Sequence, residues 1–261
     1  MKKVYDTINQ YCVEHELLTN GDGIVIGLSG GMDSVCLLQV LAALRNEWQL
    51  RLVCVHVHHG IRGTAADEDA AFAQRLAAKY NISFRLYEMD IPQLAKEQGL
   101  SEEEAGRNYR YRCFEEVRKE LNFDKIAVAH HRDDQAETVL WQILRGSGLR
   151  GVCGMRAGRA NIIRPLLCLD RQQIEQIVRG NGDGWREDAT NREEKYTRNK
   201  IRNRVFPYIE QEIQPMARRH LVELAEDCQR AWDYIERQML EQYERLVYRD
   251  GDTFCFSVDE W

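Results

Sequence analysis

The sequence predicts an α/β fold in which a parallel β-sheet carries helices on both faces, followed by a small helical extension. Three observations predict it. Short apolar runs alternate with amphipathic segments over the first 145 residues, and this β-α-β-α order is typical of parallel sheets. Polar or glycine-rich turns follow several of the apolar runs, at the edge where such sheets bind ligands. After Gly146 the alternation gives way to mainly helical patterns.

The predicted strands are short apolar runs. They cover residues 24–28, 52–57, 82–87 and 125–129, with a further short strand over 162–167 that Pro165 ends. The predicted helices repeat apolar residues at helical spacing or begin at a capping residue such as Ser101. They cover about residues 33–46, 65–80, 101–121, 135–145, 170–179, 198–210 and 221–247, with a loop at 146–151. A strand-like pattern over 253–258 has no obvious partner.

We divide the chain into a catalytic domain over 1–212 and a helical linker over 213–261. Because the chain ends directly after the 253–258 pattern, we expect the natural protein to continue past Trp261. The exposed face of the 221–247 helix invites dimerisation, so a homodimer is expected.

Composition excludes several classes of protein. No apolar run is long enough to span a membrane, and the amino terminus lacks the apolar core of a signal peptide. None of the eight cysteines forms a C-x-x-C pair, so neither a zinc nor a redox motif is present. Cys36 and Cys54 lie among apolar residues and are expected to be buried thiols in a reducing cytoplasm.

Charge is unevenly distributed along the chain. The net charge of −6 argues against nucleic-acid binding, but residues 145–219 carry 16 Lys and Arg against 9 Asp and Glu. The remainder carries 20 against 33. An Arg-rich segment suits phosphate contacts, whereas solvated helix faces with local ion pairs would give the same composition.

The most informative string directly follows the first strand. It consists of Ser29, Gly30, Gly31, Met32, Asp33 and Ser34. A tight glycine turn before a helix points backbone N–H groups at one position, at the positive end of the helix dipole, which makes an anion cradle. Asp33 would repel a phosphate unless its carboxylate holds Mg²⁺. The alternative is an ordinary capped turn between a strand and a helix.

This string is not a Walker A loop, because no Gly-Lys-Ser/Thr ending occurs before the helix. It resembles the PP-loop of the ATP pyrophosphatases, also called adenine nucleotide alpha hydrolase-like enzymes. The resemblance implies cleavage of ATP between the α and β phosphates and adenylation of a substrate oxygen.

A second polar string follows the fourth strand, from Ala129 to Thr138. Its adjacent histidines, His130 and His131, lack the spacing of a zinc site, so a hard-cation role fits better, with Asp134 helping Asp33 to hold Mg²⁺. Glu137 lies one helical turn beyond Asp134 and can face the same cleft. Asp133 or Asp134 can equally cap the helix, and we expect capping and catalysis to coexist.

Further polar residues are candidates on weaker grounds. His58 and His59 end the second strand at the predicted ligand edge. Arg107, Arg110 and Tyr111 fall near one helix face, which a solvated basic stripe would also explain. A polar loop from Trp185 to Asn191 leads into a helix that carries Arg198 and Arg202. This segment either contacts RNA phosphates or is a helix cap with exposed charges.

Together these strings, in order over most of residues 20–210, resemble the tRNA(Ile)-lysidine synthase family. The pattern departs from the family at His58, where Asn is usual, and at Gly106. The resemblance implies ligation of lysine to C2 of the wobble cytidine of tRNA(Ile) with a CAU anticodon, through an adenylated tRNA, with carboxy-terminal tRNA-binding domains beyond this chain. The implied cofactors are ATP and Mg²⁺.

The resemblance also implies roles for individual residues. The 29–34 loop, His58 and His130 bind ATP, and Asp33 and Asp134 hold the metal. Asp134 and Glu137 bind the lysine ammonium or take its proton, and Arg107 steadies the cytidine or the adenylate phosphate. Arg164, Arg198 and Arg202 contact tRNA. The alternatives are another PP-loop enzyme, such as a tRNA thiolase, and a non-catalytic tRNA-binding module.

Overall fold

The computed structural model describes residues 2–58, 64–186 and 197–256. His59 and the part of the polar loop beyond Arg186 lie outside these ranges. The chain forms two compact units. The first consists of residues 1–134 and 156–193, and the second of residues 135–155 and 194–261. The division at 212 that the sequence suggests stays a prediction.

The first unit contains a six-stranded sheet in the order β3-β2-β1-β4-β6-β5. All neighbouring strands are parallel except β5, which runs antiparallel to β6. This confirms the predicted α/β fold with a mainly parallel sheet. The strands are β1 (Gly23–Gly27), β2 (Arg51–His58), β3 (Ser83–Glu88), β4 (Lys125–Ala127), β5 (Gly158–Arg159) and β6 (Ile162–Ile163).

Helices connect these strands and continue after them. They are α1 (Lys2–Glu14), α2 (Met32–Leu44), α3 (Thr64–Lys79), α4 (Ile91–Gln98), α5 (Glu102–Glu120), α6 (Arg132–Leu144), α7 (Leu149–Val152), α8 (Arg171–Gly180), α9 (Thr197–Lys200), α10 (Phe206–Glu212) and α11 (Ala217–Leu246). Ser101 caps α5 as predicted, since its hydroxyl accepts the backbone N–H of Glu104 at 3.2 Å.

The two faces of the sheet bury separate apolar clusters. Ile24 and Ile26 of β1 pack with α1, α2 and α8, whereas Val25, between them, packs with α4 and α5. Successive strand side chains point to opposite faces, so both faces are covered by helices. None of the helices in the described ranges is long and apolar enough to span a membrane.

The cysteines of the described residues are all unpaired, and Cys36 and Cys54 are buried as predicted. Burial raises the pKa of the Cys54 thiol to about 12, so it stays protonated at neutral pH. Such buried thiols are unreactive packing residues.

The second unit corrects three predictions. The 146–151 segment is not all loop, because α7 begins at Leu149. The helix predicted over 198–210 contains a π-helical segment, Ile201–Val205, between α9 and α10. Pro207 follows this segment; it has no N–H to donate into the helical ladder, which favours the altered hydrogen bonding.

The third correction concerns the carboxy-terminal strand pattern. It does have a partner, because β8 (Thr253–Phe256) pairs antiparallel with β7 (Val247–Asp250). Gly251 in the connecting turn has a φ of 58°, a conformation that glycine adopts without strain. Residues 257 and 258 of the predicted strand lie outside the described ranges.

Candidate active site

The 29–34 loop joins the carboxyl end of β1 to the amino end of α2. Gly30 has a φ of 90°, and a Cβ there would lie 3.4 Å from the Phe72 side chain. The backbone conformation, rather than lack of space, would therefore strain a side chain at this position. The Gly30 N–H donates to the Ser34 hydroxyl at 3.1 Å, and that hydroxyl donates to the Gly31 carbonyl at 2.9 Å. These bonds fix a tight turn.

Helix α2 begins with its first N–H groups free of side-chain capping. Gly31 is the N-cap and offers no side chain to accept them, and Asp33 lies in the first turn. Uncapped N–H groups at a helix start are donors for an anion. The predicted anion cradle therefore has the required backbone geometry.

Arg186 holds this loop from outside, a contact that the sequence analysis did not anticipate. Its backbone N–H donates to the Gly30 carbonyl at 2.9 Å. Its guanidinium pairs with Asp69 at 2.8 Å and with Glu68 at 2.7 Å, both on α3. Because the carbonyl and the following N–H of a peptide point in opposite directions, fixing the Gly30 carbonyl also fixes the Gly31 N–H.

The turn before Arg186 is itself anchored. The Asp183 carboxylate, whose side chain is 5% exposed, accepts from Lys79 at 2.5 Å, Tyr80 at 2.5 Å and Gln39 at 2.7 Å. Burial opposes ionisation of Asp183, but the hydrogen bonds from Lys79, Tyr80 and Gln39 outweigh it and lower the pKa of Asp183. These bonds fix the turn that places Arg186 against the 29–34 loop.

Two of the predicted metal ligands meet at one imidazole. The Nε2 atom of His131 lies 3.7 Å from Oδ2 of Asp33 and 3.5 Å from Oδ2 of Asp134. His131 is 2% exposed, and its Nδ1 accepts the backbone N–H of Asp133 at 3.2 Å. With Nδ1 acting as acceptor, the proton of the neutral ring belongs on Nε2, between the two carboxylates.

Asp134 also caps helix α6. Its Oδ2 accepts the backbone N–H of His131 at 3.0 Å. The capping contact that the sequence suggested for Asp134 is present, and the catalytic role of Asp134 stays a prediction. His131 itself was passed over by the sequence analysis, which could place it only as a neighbour of His130.

Asp33 and Asp134 fit a divalent cation by their chemistry. Mg²⁺ is bound in nucleotide sites through one or two carboxylates together with substrate phosphates and water. Among the described residues, no group of three or more His, Cys, Asp and Glu forms a metal site. Two carboxylates beside an anion cradle suit Mg²⁺ brought with a nucleotide better than a permanently bound metal.

The predicted histidines lie at the same edge of the sheet. His58 ends β2, and its Nε2 lies 3.3 Å from Oδ1 of Asp67. His130 follows β4 and is half-buried. His56, which the sequence analysis did not single out as a site residue, is buried, and its Nδ1 lies 2.8 Å from the Leu28 carbonyl at the exit of β1. Burial lowers the pKa of His56, against the hydrogen bond to Leu28.

The predicted arginines have three different surroundings. Arg107 is exposed on α5, with its guanidinium 5.1 Å from the centre of the Tyr111 ring. Arg164 follows β6 and is buried. Arg198 and Arg202 belong to the second unit, where they bind Glu137.

Glu137 is the centre of an arginine cluster in the second unit. Its side chain is 0% exposed, and Arg202 binds it in bidentate fashion, with Nε 2.6 Å from Oε1 and Nη2 2.9 Å from Oε2. Arg198 Nε donates to Oε2 at 2.9 Å, and Arg218 Nη1 lies 3.9 Å from Oε1. The guanidinium of Arg218 also stacks 4.1 Å from the Phe206 ring centre and pairs with Glu210.

Comparison with known proteins identifies related sequences and folds. A protein-family profile described as the PP-loop domain matches residues 2–209. The chain is 43% identical over 99% of its length to a curated tRNA(Ile)-lysidine synthase from Caldanaerobacter subterraneus subsp. tengcongensis, of which it covers 55%. It is 39% identical over 99% of its length to one from Clostridium perfringens, of which it covers 54%. The chain thus spans about half the length of the curated relatives it matches.

Solved structures show the same fold at low sequence identity. A U34-tRNA thiolase from Methanococcus maripaludis has a TM-score of 0.69 and 18% identity, over 87% of this chain and 77% of the thiolase. An NMN synthetase from Francisella tularensis has a TM-score of 0.51 and 13% identity, over 87% of this chain and 93% of the synthetase. At such identities the likeness concerns the fold alone.

Proposed function

Because the chain belongs to the PP-loop domain family, we propose that it binds ATP at the 29–34 loop and uses it to ligate lysine to a tRNA. The substrate in this proposal is the wobble cytidine of tRNA(Ile) with a CAU anticodon, and the product is lysidine. The observation that carries the proposal is identity of 43% and 39%, over nearly the whole chain, to two curated tRNA(Ile)-lysidine synthases. The reaction is placed in the cytoplasm, with no membrane involved.

In the first step O2 of the cytidine attacks the α phosphorus of ATP and pyrophosphate leaves. The Gly31 N–H, which makes only a long 3.4 Å hydrogen bond to the Ser29 hydroxyl, and the start of α2 would hold the phosphates, because these donors are oriented before the nucleotide binds. His58 and His130 would line the nucleotide site. Asp33 and Asp134 would hold Mg²⁺, which supplies charge neutralisation at the phosphates when bound.

In the second step the ε-amine of lysine attacks C2, the C2–O2 bond breaks and AMP leaves. The lysine ammonium must lose a proton before its nitrogen can attack. Asp134 and Glu137 are the proposed groups that bind the ammonium or accept that proton. For Glu137 this requires access past Arg198 and Arg202, which occupy both carboxylate oxygens. Arg107 would steady the cytidine or the adenylate phosphate.

The tRNA would present its wobble base from the anticodon loop. Bases in single-stranded loops can be splayed into a cleft without melting a duplex. Arg164, Arg198 and Arg202 are the proposed contacts to the RNA. The positive charge of residues 145–219 supports an RNA-facing role for this part of the chain.

The test is incorporation of labelled lysine into tRNA(Ile) with a CAU anticodon, with ATP and Mg²⁺ present and tRNA(Met) as the control. Lysine attached to tRNA(Ile) alone is the expected result. AMP release that depends on tRNA but not on lysine would point to another PP-loop tRNA-modifying enzyme. Binding of tRNA without release of AMP would indicate a non-catalytic binding module and would contradict the proposal.

A further inference from the structure

Arg164 is a buried arginine with an unusual set of partners. It follows β6 and is 7% exposed. Its backbone N–H donates to the Ala157 carbonyl at 2.8 Å, and its Nη1 donates to the Arg156 carbonyl at 2.9 Å. The first bond fixes the backbone and the second holds Nη1 of the guanidinium. Neither bond uses the opposite edge of the guanidinium.

That opposite edge consists of Nε and Nη2. Nε is buried and has no hydrogen-bond partner, and no described residue accepts from Nη2 or pairs its carboxylate with Arg164. In Arg202 the same Nε–Nη2 edge binds an anion, because Nε and Nη2 donate to the two oxygens of Glu137 at 2.6 and 2.9 Å. This fork geometry matches a carboxylate or a phosphate.

The surroundings of Arg164 are electropositive. Burial lowers the pKa of its guanidinium, and the charges of Arg107 and Arg159 lower it further, while Tyr111 and Tyr11 act in the opposite direction. A buried cation among other cations is costly unless an anion neutralises it. Uncompensated groups of this kind concentrate at binding sites.

We infer that the Nε–Nη2 edge of Arg164 is a phosphate-binding site, in which two phosphate oxygens take the two free donors. The ligand's source, a tRNA phosphodiester or a phosphate of the nucleotide, rests on the proposed function. The position supports either source, since β6 runs parallel to β4 and Arg164 therefore leaves the sheet at the edge where the 29–34 loop lies.

Inorganic phosphate tests the anion site independently of any enzymatic activity. The thermal midpoint of the wild-type chain should rise saturably with phosphate, relative to chloride at equal ionic strength. Arg164→Met removes the cation, and Arg164→Lys keeps the charge without the fork. Phosphate held by the 29–34 loop should contribute equally in all these chains, so both variants should lose only the part of the rise that Arg164 supplies. Arg179→Met, which removes an exposed arginine paired with Glu175, should keep it.

Affinity measurements then identify the source of the phosphate. Loss of a charge-assisted fork should weaken binding about 10- to 100-fold. If the ligand is RNA, both Arg164 variants bind tRNA more weakly, with a salt slope reduced by about one for Arg164→Met, and bind ATP normally. If the ligand is the nucleotide, only ATP affinity falls.

Wild-type affinity for both ligands in Arg164→Met, with an unchanged phosphate response, would overturn the inference. If the variants do not fold, phosphate is titrated into the ¹⁵N-labelled wild type, and the NMR signal of one buried guanidinium Nε–H should shift. If none shifts, the inference is wrong. A phosphate response without lysine transfer would show that the site stands while the proposed function fails.

Discussion

The two units of the chain surround their carboxylates in opposite ways. In the first unit, Asp33 and Asp134 approach one imidazole of His131 at 3.7 and 3.5 Å. In the second unit, Glu137 has both oxygens bound by guanidiniums, and its side chain is 0% exposed. One site brings two negative charges together around a ring, and the other surrounds one negative charge with three positive ones.

This difference distinguishes a carboxylate pair suited to binding a cation from a carboxylate that stabilises the fold. Like charges placed together raise the free energy of the folded protein unless a cation joins them, so such a pair is typical of a metal or catalytic site. A carboxylate held bidentately by arginine is already neutralised, and removing it leaves partly buried cations without their partner. The comparison therefore predicts that substitutions at Asp33 change catalysis, whereas substitutions at Glu137 change stability as well.

The largest expected effect is on stability at Glu137. Glu137→Gln should lower the free energy of unfolding by about 3–5 kcal/mol, because it removes the buried charged partner of Arg198 and Arg202. Urea unfolding followed by circular dichroism measures this. The matched control is Glu210→Gln, whose partner is Arg218 at a partly exposed position, with an expected change below about 1 kcal/mol.

A Glu137→Gln variant as stable as the wild type, yet without lysine transfer, would break the comparison. It would assign Glu137 to the chemistry of the lysine amine alone. If the variant is less stable and also loses more lysine transfer than its unfolded fraction explains, Glu137 both stabilises the fold and takes part in the reaction.

The next effect is on turnover at Asp33. Asp33→Asn should lower ATP turnover by about 100- to 1000-fold, because the amide cannot replace a carboxylate beside a divalent cation. The free energy of unfolding should stay within about 1 kcal/mol of the wild-type value, the size of a helix-start charge effect. Pyrophosphate release measures turnover, and Asp133→Asn, at the start of α6, is the control that should retain it.

A smaller effect is expected where Arg186 holds the 29–34 loop. Arg186→Pro removes the N–H that binds the Gly30 carbonyl and should raise the KM for ATP about 10-fold, roughly the value of one hydrogen bond. Arg186→Ala keeps that N–H and should raise it by less than about 3-fold. Equal effects of the two substitutions would mean that the ion pairs with Asp69 and Glu68, rather than the backbone, position the loop.

The smallest effect concerns pH in the first unit. The folded pKa of His56 is lowered by burial, so the unfolded chain takes up a proton near its ordinary pKa of about 6.5 and the folded chain does not. Stability from this group is complete above that pH and falls below it, by up to about 1.4 kcal/mol per pH unit. In His56→Asn, which keeps a donor for Leu28, this part of the pH dependence should vanish in urea unfolding at pH 5 to 7.

Local patterns in the sequence predicted β1 to β4 and the 29–34 loop well, because each depends on neighbouring residues. They placed the start of α6 at 135 instead of Arg132, missed β5 and made β6 too long. The meeting of His131 with Asp33 depends on the parallel register of β1 and β4, which no local pattern contains. No local pattern contains the contact of Arg218 on α11 with Glu137, or that of Arg186 with Gly30, because each joins residues far apart in the sequence. The β7 strand was missed because its first residue, Val247, continues the apolar repeat of the preceding helix.

We propose that the carboxylates of Asp33 and Asp134 hold a divalent cation at the nucleotide site. Mn²⁺ in place of Mg²⁺, with a non-hydrolysable ATP analogue, reports this directly through the electron paramagnetic resonance spectrum of protein-bound Mn²⁺. We expect one bound Mn²⁺ per chain in the wild type and in Asp133→Asn, with affinity at least about 10-fold weaker in Asp33→Asn and Asp134→Asn. Equal Mn²⁺ affinity in all four proteins would contradict it.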